Sequence, residues 1–123
     1  MNLNYEISVD DPVIIYRLRG KIVSDEDYTE LEREVFDYLN QNYYRIIFDL
    51  GQLTHINSSG IVFFMRTLTK SRIMNGDLVL ISITGNVKKV FEIAKLNEVY
   101  TIYENEPEGI NHFKTTKWKL TYY

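Results

Sequence analysis

The chain has 123 residues, 45% of them hydrophobic and 25% charged, with a formal net charge of −3 and a pI of about 5.4. That size predicts one domain over residues 1–123, burying roughly two-thirds of its unfolded surface and so able to build its own core. The mild acidity argues against nucleic-acid or anionic-membrane partners, and the absence of cysteine excludes disulfides, thiolate metal sites and cysteine nucleophiles.

The N-terminus, Met1 to Asp11, has neither the basic region nor the apolar run of a signal peptide. The longest apolar stretch, Ile61 to Met65, is far short of a bilayer span, so a cytoplasmic setting is expected. Tyr5 to Val9 and Val13 to Leu18 read as strands joined at Asp10-Asp11-Pro12, a turn-forming triplet, and Gly20 closes this hairpin. Asp25 to Asn40 is an amphipathic helix with Tyr28, Leu31, Val35 and Leu39 on one face, Ser24 as N-cap, and Asp25, Glu26 and Asp27 in the first turn, where the helix dipole favours negative charge. Arg45 to Leu50 is a short β-branched run of the kind that is buried on both faces of a sheet. A loop over Gly51 to Asn57 then leads into a helix from about Ser59 to Met74. Ile61, Phe64, Met65 and Leu68 form its predicted inner face, and Asn75-Gly76 its left-handed stop. Leu78 to Ser82 is a strand; Val87, Val90, Phe91 and Ala94 mark a short helix; Val99 to Tyr103 is a last strand; Glu106 to Phe113 is a fourth helix that Gly109 weakens. The order β-β-α-β-α-β-α-β-α predicts an α/β fold: a mainly parallel sheet of about five strands with an N-terminal hairpin, its helices stacked largely on one face.

Enzyme signatures are missing: the sequence contains no phosphate-binding glycine loop, no dinucleotide turn and no nucleophile elbow. His55 and His112 lack metal-ligand spacing and read as surface or hydrogen-bonded structural residues, and no metal or cofactor is expected. Glu26-Asp27, Glu30 and Glu32 to Glu34 fall on the polar side of their helix, a solvated face rather than acid–base machinery. Asp49 to Ile61 stands apart. It leaves the C-terminal end of a central strand, where open α/β sheets place binding sites, and delivers Asn57, Ser58 and Ser59 to a helix N-terminus, the end that accepts negative charge. Spacing alone is equally met by simple N-capping. Asn57-Ser58-Ser59 also matches the glycosylation sequon, which is accidental without a secretory signal.

The stretch Phe48-Asp49-Leu50-Gly51-Gln52-Leu53-Thr54-His55-Ile56-Asn57-Ser58-Ser59-Gly60-Ile61 resembles the signature of STAS domains, specifically the anti-sigma factor antagonists. Their pattern is a strand ending in Asp-Leu, a short loop with a Leu, and Asp-Ser-Ser-Gly-Leu opening a helix. Asn75-Gly76-Asp77-Leu78-Val79-Leu80 is similar to the family's Gly-Gly-x-Leu-x-Leu, and Val87 to Phe91 and Lys95 to Tyr100 resemble its third helix and the segment after it. The similarity runs from residue 3 to about 113. It implies a binding module, not an enzyme. Such an antagonist captures an anti-sigma factor that is itself a serine kinase, is switched off when that kinase phosphorylates the first serine of the motif, here Ser58, and is reset by a phosphatase. Asn57, Ser58, Ser59 and Gly60 would lie in the partner contact.

Two departures from the pattern stand out. Asn57 replaces the usual Asp, keeping its shape and capping oxygen without the charge, and the early Gly-x-Leu-Asp appears as Gly20-Lys21-Ile22-Val23. Asn57 and the aromatic tail at Lys117 to Tyr123 favour an alternative, a STAS scaffold that self-associates or sits in a signalling assembly without serine phosphorylation. A third reading, Ser58 or Ser59 as a hydrolytic nucleophile, needs a general base within hydrogen-bond reach. On a helical wheel Phe63, Arg66, Lys70 and Met74 fall opposite the apolar stripe. Phe63 and Arg66 are thus candidate partner contacts, the competing reading being that Phe63 packs against a neighbouring helix. Lys117 to Tyr123, in a tail over 113–123, alternates like an extra strand or packing arm, suited to covering the sheet or to a homodimer.

Overall fold

The computed structural model describes residues 2–115, so the expectation for Lys117 to Tyr123 lies outside the described residues. Its elements are β1 (Leu3–Asp10), β2 (Val13–Ile22), α1 (Asp25–Asn40), β3 (Arg45–Ile56), α2 (Ser58–Ile73), β4 (Asp77–Ile81), α3 (Gly85–Ile93), a 3₁₀ turn (Leu96–Glu98), β5 (Thr101–Tyr103) and α4 (Glu106–Lys114). The five strands lie side by side in chain order. β1 and β2 are antiparallel and every later pair is parallel, as the alternating order predicts.

β3 is buried on both faces, as its apolar run requires. Ile46, Phe48 and Leu50 join the main core with α1, α2 and α3, while Ile47 points the other way, to a second cluster with Val13, Ile15, Val79, Ile81 and Phe113. Phe113 belongs to α4, so three helices share one face and α4 alone covers the other. Gly109 weakens α4 by propensity but lets it approach closely: an added Cβ would meet Ile81 Cγ2 at 3.0 Å and Ile47 Cδ1 at 3.1 Å. Arg17 fastens the start of α4 to β2, its Nε donating to Glu106 Oε2 at 2.6 Å and Nη2 to Oε1 at 2.8 Å.

Several expectations are corrected. Gly20 does not close the hairpin. β2 continues to Ile22, and Gly20 takes φ +108° inside it, pairing with Leu3, where a side chain would strike the Asn2 carbonyl. The expected loop Gly51 to Asn57 is mostly strand, because Gln52, Leu53, His55 and Ile56 pair with the extended end of β2, Ile22 lying against Ile56. Asp27 is not on the solvated face. It is buried, and its carboxylate accepts from the amides of Val23 at 2.9 Å and Ser24 at 3.1 Å. Glu34 accepts a hydrogen bond from the Tyr5 hydroxyl, so α1's acidic residues also hold it to β1.

The Val23 amide, aided by that of Ser24, holds the Asp27 carboxyl below its ordinary range. A depressed folded value means this contribution is present above the unfolded pKa of about 3.9 and is lost as pH falls through the folded one. Asp27→Asn is therefore expected to lower stability at neutral pH and to flatten the decline on acidification from about pH 5 downward, read by urea denaturation across that range. An unchanged acid limb would contradict the assignment.

α2 corrects the helical wheel. Its inner face is Gly60, Phe63, Phe64, Thr67, Leu68 and Ser71, with Ile61 and Met65 only half-buried. Thr67 and Ser71 turn inward because their hydroxyls donate to the helix's own carbonyls, Phe63 O at 3.0 Å and Leu68 O at 2.9 Å. Asn75 supplies the left-handed stop at φ 65°, as the Asn-Gly pair predicts.

Candidate functional site at the start of α2

Beyond Asp49, which pairs with Ile81 at the end of β4, β3 keeps a strand neighbour on one side only, β2. This overhang carries the candidate site. A single residue, Asn57, joins it to α2, and its amide donates to Ile22 O at 3.0 Å. Asn57 is extended at φ −98°, ψ 179°, the backbone of an N-cap. Its Oδ1 accepts from the Gly60 amide at 2.9 Å and from the Ser59 hydroxyl at 3.0 Å. The amide side chain thus performs the capping that a carboxylate would, without the charge. Asn57→Ala is expected to cost about 1 kcal/mol, whereas Asn57→Asp keeps the acceptor and adds a charge that the helix N-terminus favours. Thermal unfolding of the two variants checks this, the alanine melting lower and the aspartate no lower than wild type.

Gly60 is needed for close approach. A Cβ there would lie 2.7 Å from Ile22 Cγ2 and 2.8 Å from Ile56 Cγ1, so only glycine lets the first turn of α2 seat against the ends of β2 and β3. That seating sends Ser59 inward, half-buried, and leaves Ser58 exposed at the first helical position. Among the described residues the Ser58 hydroxyl takes part in no hydrogen bond. No acidic side chain occupies the first turn, so the positive end of the helix dipole is uncompensated there.

The two serines are not wired for nucleophilic attack. Ser59 donates to Asn57, and the nearest histidine in sequence, His55, has its Nδ1 2.9 Å from Thr54 Oγ1. His112 lies in the other cluster, with Nδ1 3.1 Å from the Tyr103 hydroxyl and Nε2 3.4 Å from Asp77 Oδ2, the hydrogen-bonded structural role expected of it.

The sequence-predicted site residues divide. Asn57, Ser58, Ser59 and Gly60 come together at the overhang. Phe63 does not present itself to a partner: it is 0% exposed, stacked on Tyr28 at 5.0 Å between ring centroids and packed against Phe48 and Phe64. The reading that packs it against a neighbouring helix holds. Arg66 is exposed but engaged, its Nε 2.7 Å from Glu32 Oε2 on α1. The outward apolar residue missed by the wheel is Val62, 49% exposed and one turn from Ser58, and Val23, also 49% exposed, follows the Ile22 that holds Asn57. The i, i+4 spacing of Ser58 and Val62 was the available signal.

The model of the STAS domain family matches residues 4–109. The chain belongs to the STAS domain family. This STAS domain is 28% identical over 105 residues to a Bordetella bronchiseptica protein named "Putative anti-sigma factor antagonist BtrV", covering 85% of this chain and 90% of that one. Among solved structures, a Thermotoga maritima protein superposes with a TM-score of 0.80 at 23% identity, covering 90% of this chain and 95% of its own. The anti-sigma factor antagonist SpoIIAA in its unphosphorylated form gives a TM-score of 0.80 at 18% identity, covering 90% and 96%. These likenesses establish the SpoIIAA-like fold.

Proposed function

We propose that this STAS domain is an anti-sigma factor antagonist: it binds an anti-sigma factor that is a serine kinase, is switched off by phosphorylation at Ser58, and is restored by a phosphatase. The observation that carries the proposal is the exposed Ser58 hydroxyl at the N-terminus of α2, next to Asn57 in the chain and one helical turn before the half-exposed Val62. A hydroxyl so placed is open to a phosphate donor, and the helix end tolerates the added charge. The name of the Bordetella relative supports the same reading. The experiment is phosphopeptide mapping of the protein after incubation with an ATPase-type anti-sigma kinase. Label is expected on the peptide carrying Ser58 and absent from Ser58→Ala. Label elsewhere, or none while the kinase still binds, would remove the switch.

One observation favours a second reading, a STAS scaffold that works by association alone. Asn57 brings no charge beside the serine. On that reading partner binding is indifferent to a phosphate at Ser58.

A further inference from the structure

α4 packs on Val13, Ile15, Ile47, Val79 and Ile81, and its first residue, Glu106, grips Arg17. Past Arg17, toward the C-terminal ends of β2 and β3, the same face of the sheet carries polar rows. Glu6, Arg17 and Asp49 stand opposite one another across β1, β2 and β3, and Asn4, Arg19 and Gln52 form the next row. Between the rows β2 runs from Arg17 to Arg19 but β3 from Asp49 to Gln52, so β3 carries an extra residue, a bulge. Bulges interrupt the ladder and re-aim side chains. At this one lies a hollow of about 90 Å³, lined by Glu6, Arg17, Leu18, Arg19, Asp49 and Gln52.

The charges around the hollow do not cancel locally. Arg17 is fully engaged, with Nε and Nη2 on Glu106 and Nη1 2.7 Å from Ser8 Oγ and 3.5 Å from Glu6 Oε1. Arg19 is exposed, and its cross-strand neighbours are Asn4 and Gln52, neither of which can neutralise it. Among the described residues its guanidinium is in no hydrogen bond or ion pair. Asp49 is half-buried, with Oδ1 accepting from the Gly51 amide at 2.9 Å. Its strand neighbours are Arg17, already held by Glu106, and the apolar Ile81. The bulge thus leaves one cation and one carboxylate on the same hollow, each without an ion-pair partner among the described residues.

A ligand of single charge suits this lining poorly. A simple anion drawn to Arg19 meets the carboxylates of Glu6 and Asp49, and a simple cation drawn to Asp49 meets Arg17 and Arg19. A molecule carrying both charges close together escapes both penalties. We infer that the hollow binds the head group of a free α-amino acid. Its carboxylate lies on the Arg19 guanidinium, whose planar fork matches it, and its ammonium on Asp49. The Gln52 carboxamide supplies a neutral donor for the carboxylate. Because Arg19 and Gln52 are exposed, the site grips the head group and leaves the amino acid's side chain in solvent. It therefore selects the class rather than one member. Nothing in this depends on Ser58 or on a protein partner.

Glycine is the probe, titrated into the full-length, nitrogen-15-labelled protein and followed by amide NMR shifts. Saturating shifts are expected at Arg19, Gly51 and Gln52, and only weak, non-saturating ones with glycinamide or N-acetylglycine, which each lack one of the two charges. Arg19→Ala and Asp49→Asn are expected to weaken glycine binding by at least about tenfold, the usual cost of losing a charged hydrogen bond. Neither change touches the core, and the asparagine keeps an acceptor for the Gly51 amide, so both melting temperatures should hold. Shifts that fail to saturate with glycine would overturn the assignment. An equal response to N-acetylglycine or to glycinamide would overturn it as well, by making the hollow a plain anion or cation site. Undiminished binding in both variants would place the amino acid elsewhere.

Discussion

Phe63→Ala is expected to destabilise the domain by about 3–5 kcal/mol, the range for removing a fully buried aromatic ring. The site gives little room for relaxation: the ring lies parallel to Tyr28 at 5.0 Å and meets Phe64 at 5.6 Å and Phe48 at 5.9 Å. It therefore joins α1, α2 and β3 at one point, and the void would be shared by all three. Chemical denaturation measures the loss. The alternative, a surface contact residue, predicts the reverse outcome, unchanged stability with weakened partner binding, so one variant discriminates between them.

The second large effect is on affinity. On the proposed function, phosphorylation of Ser58, or Ser58→Asp, is expected to weaken binding to an anti-sigma kinase more than a hundredfold while leaving the melting temperature unchanged or slightly raised. Two terms of opposite sign are involved. At the first position of α2 a negative charge faces the uncompensated N-terminal dipole, which favours it by about 0.3–1 kcal/mol within the domain. In a partner interface the same charge, about −1.5 to −2 for phosphate, must shed water, and an unpaired buried charge costs several kcal/mol. A net penalty of roughly 3–4 kcal/mol exceeds a hundredfold in dissociation constant. Titration calorimetry of the wild type against the two modified forms reads the affinity, and a thermal melt reads the fold. Equal affinities would leave the scaffold reading standing.

Much of this could be read in the residues, and the exceptions share a cause. β3 was legible because Ile46, Ile47 and Phe48 are apolar without alternation, a pattern that only a two-faced burial satisfies. The cap at Asn57 and the stop at Asn75-Gly76 were legible because side-chain acceptors and left-handed backbone are local properties. What was hidden was polar atoms used internally. Thr67 and Ser71 are polar by type, yet their hydroxyls bond to helix carbonyls and turn inward, whereas a stripe drawn through Ile61, Phe64, Met65 and Leu68 alone leaves Phe63 on the opposite side. Asp27 looked like one more acid in a charged turn until two backbone amides claimed it. The distal half of β3 reads as loop because Gly51, Gln52, Thr54 and His55 are not apolar, the composition that their exposure on an overhang permits. The side on which α4 packs follows from topology, which periodicity does not encode.

The overhang has a mechanical consequence. With β4 ending against Asp49, the end of β3 that leads to Ser58 is laddered to β2 alone. Its amides from Gln52 to Ile56 are expected to exchange hydrogen faster than those of Ile46 to Phe48, since they lack a ladder on one side.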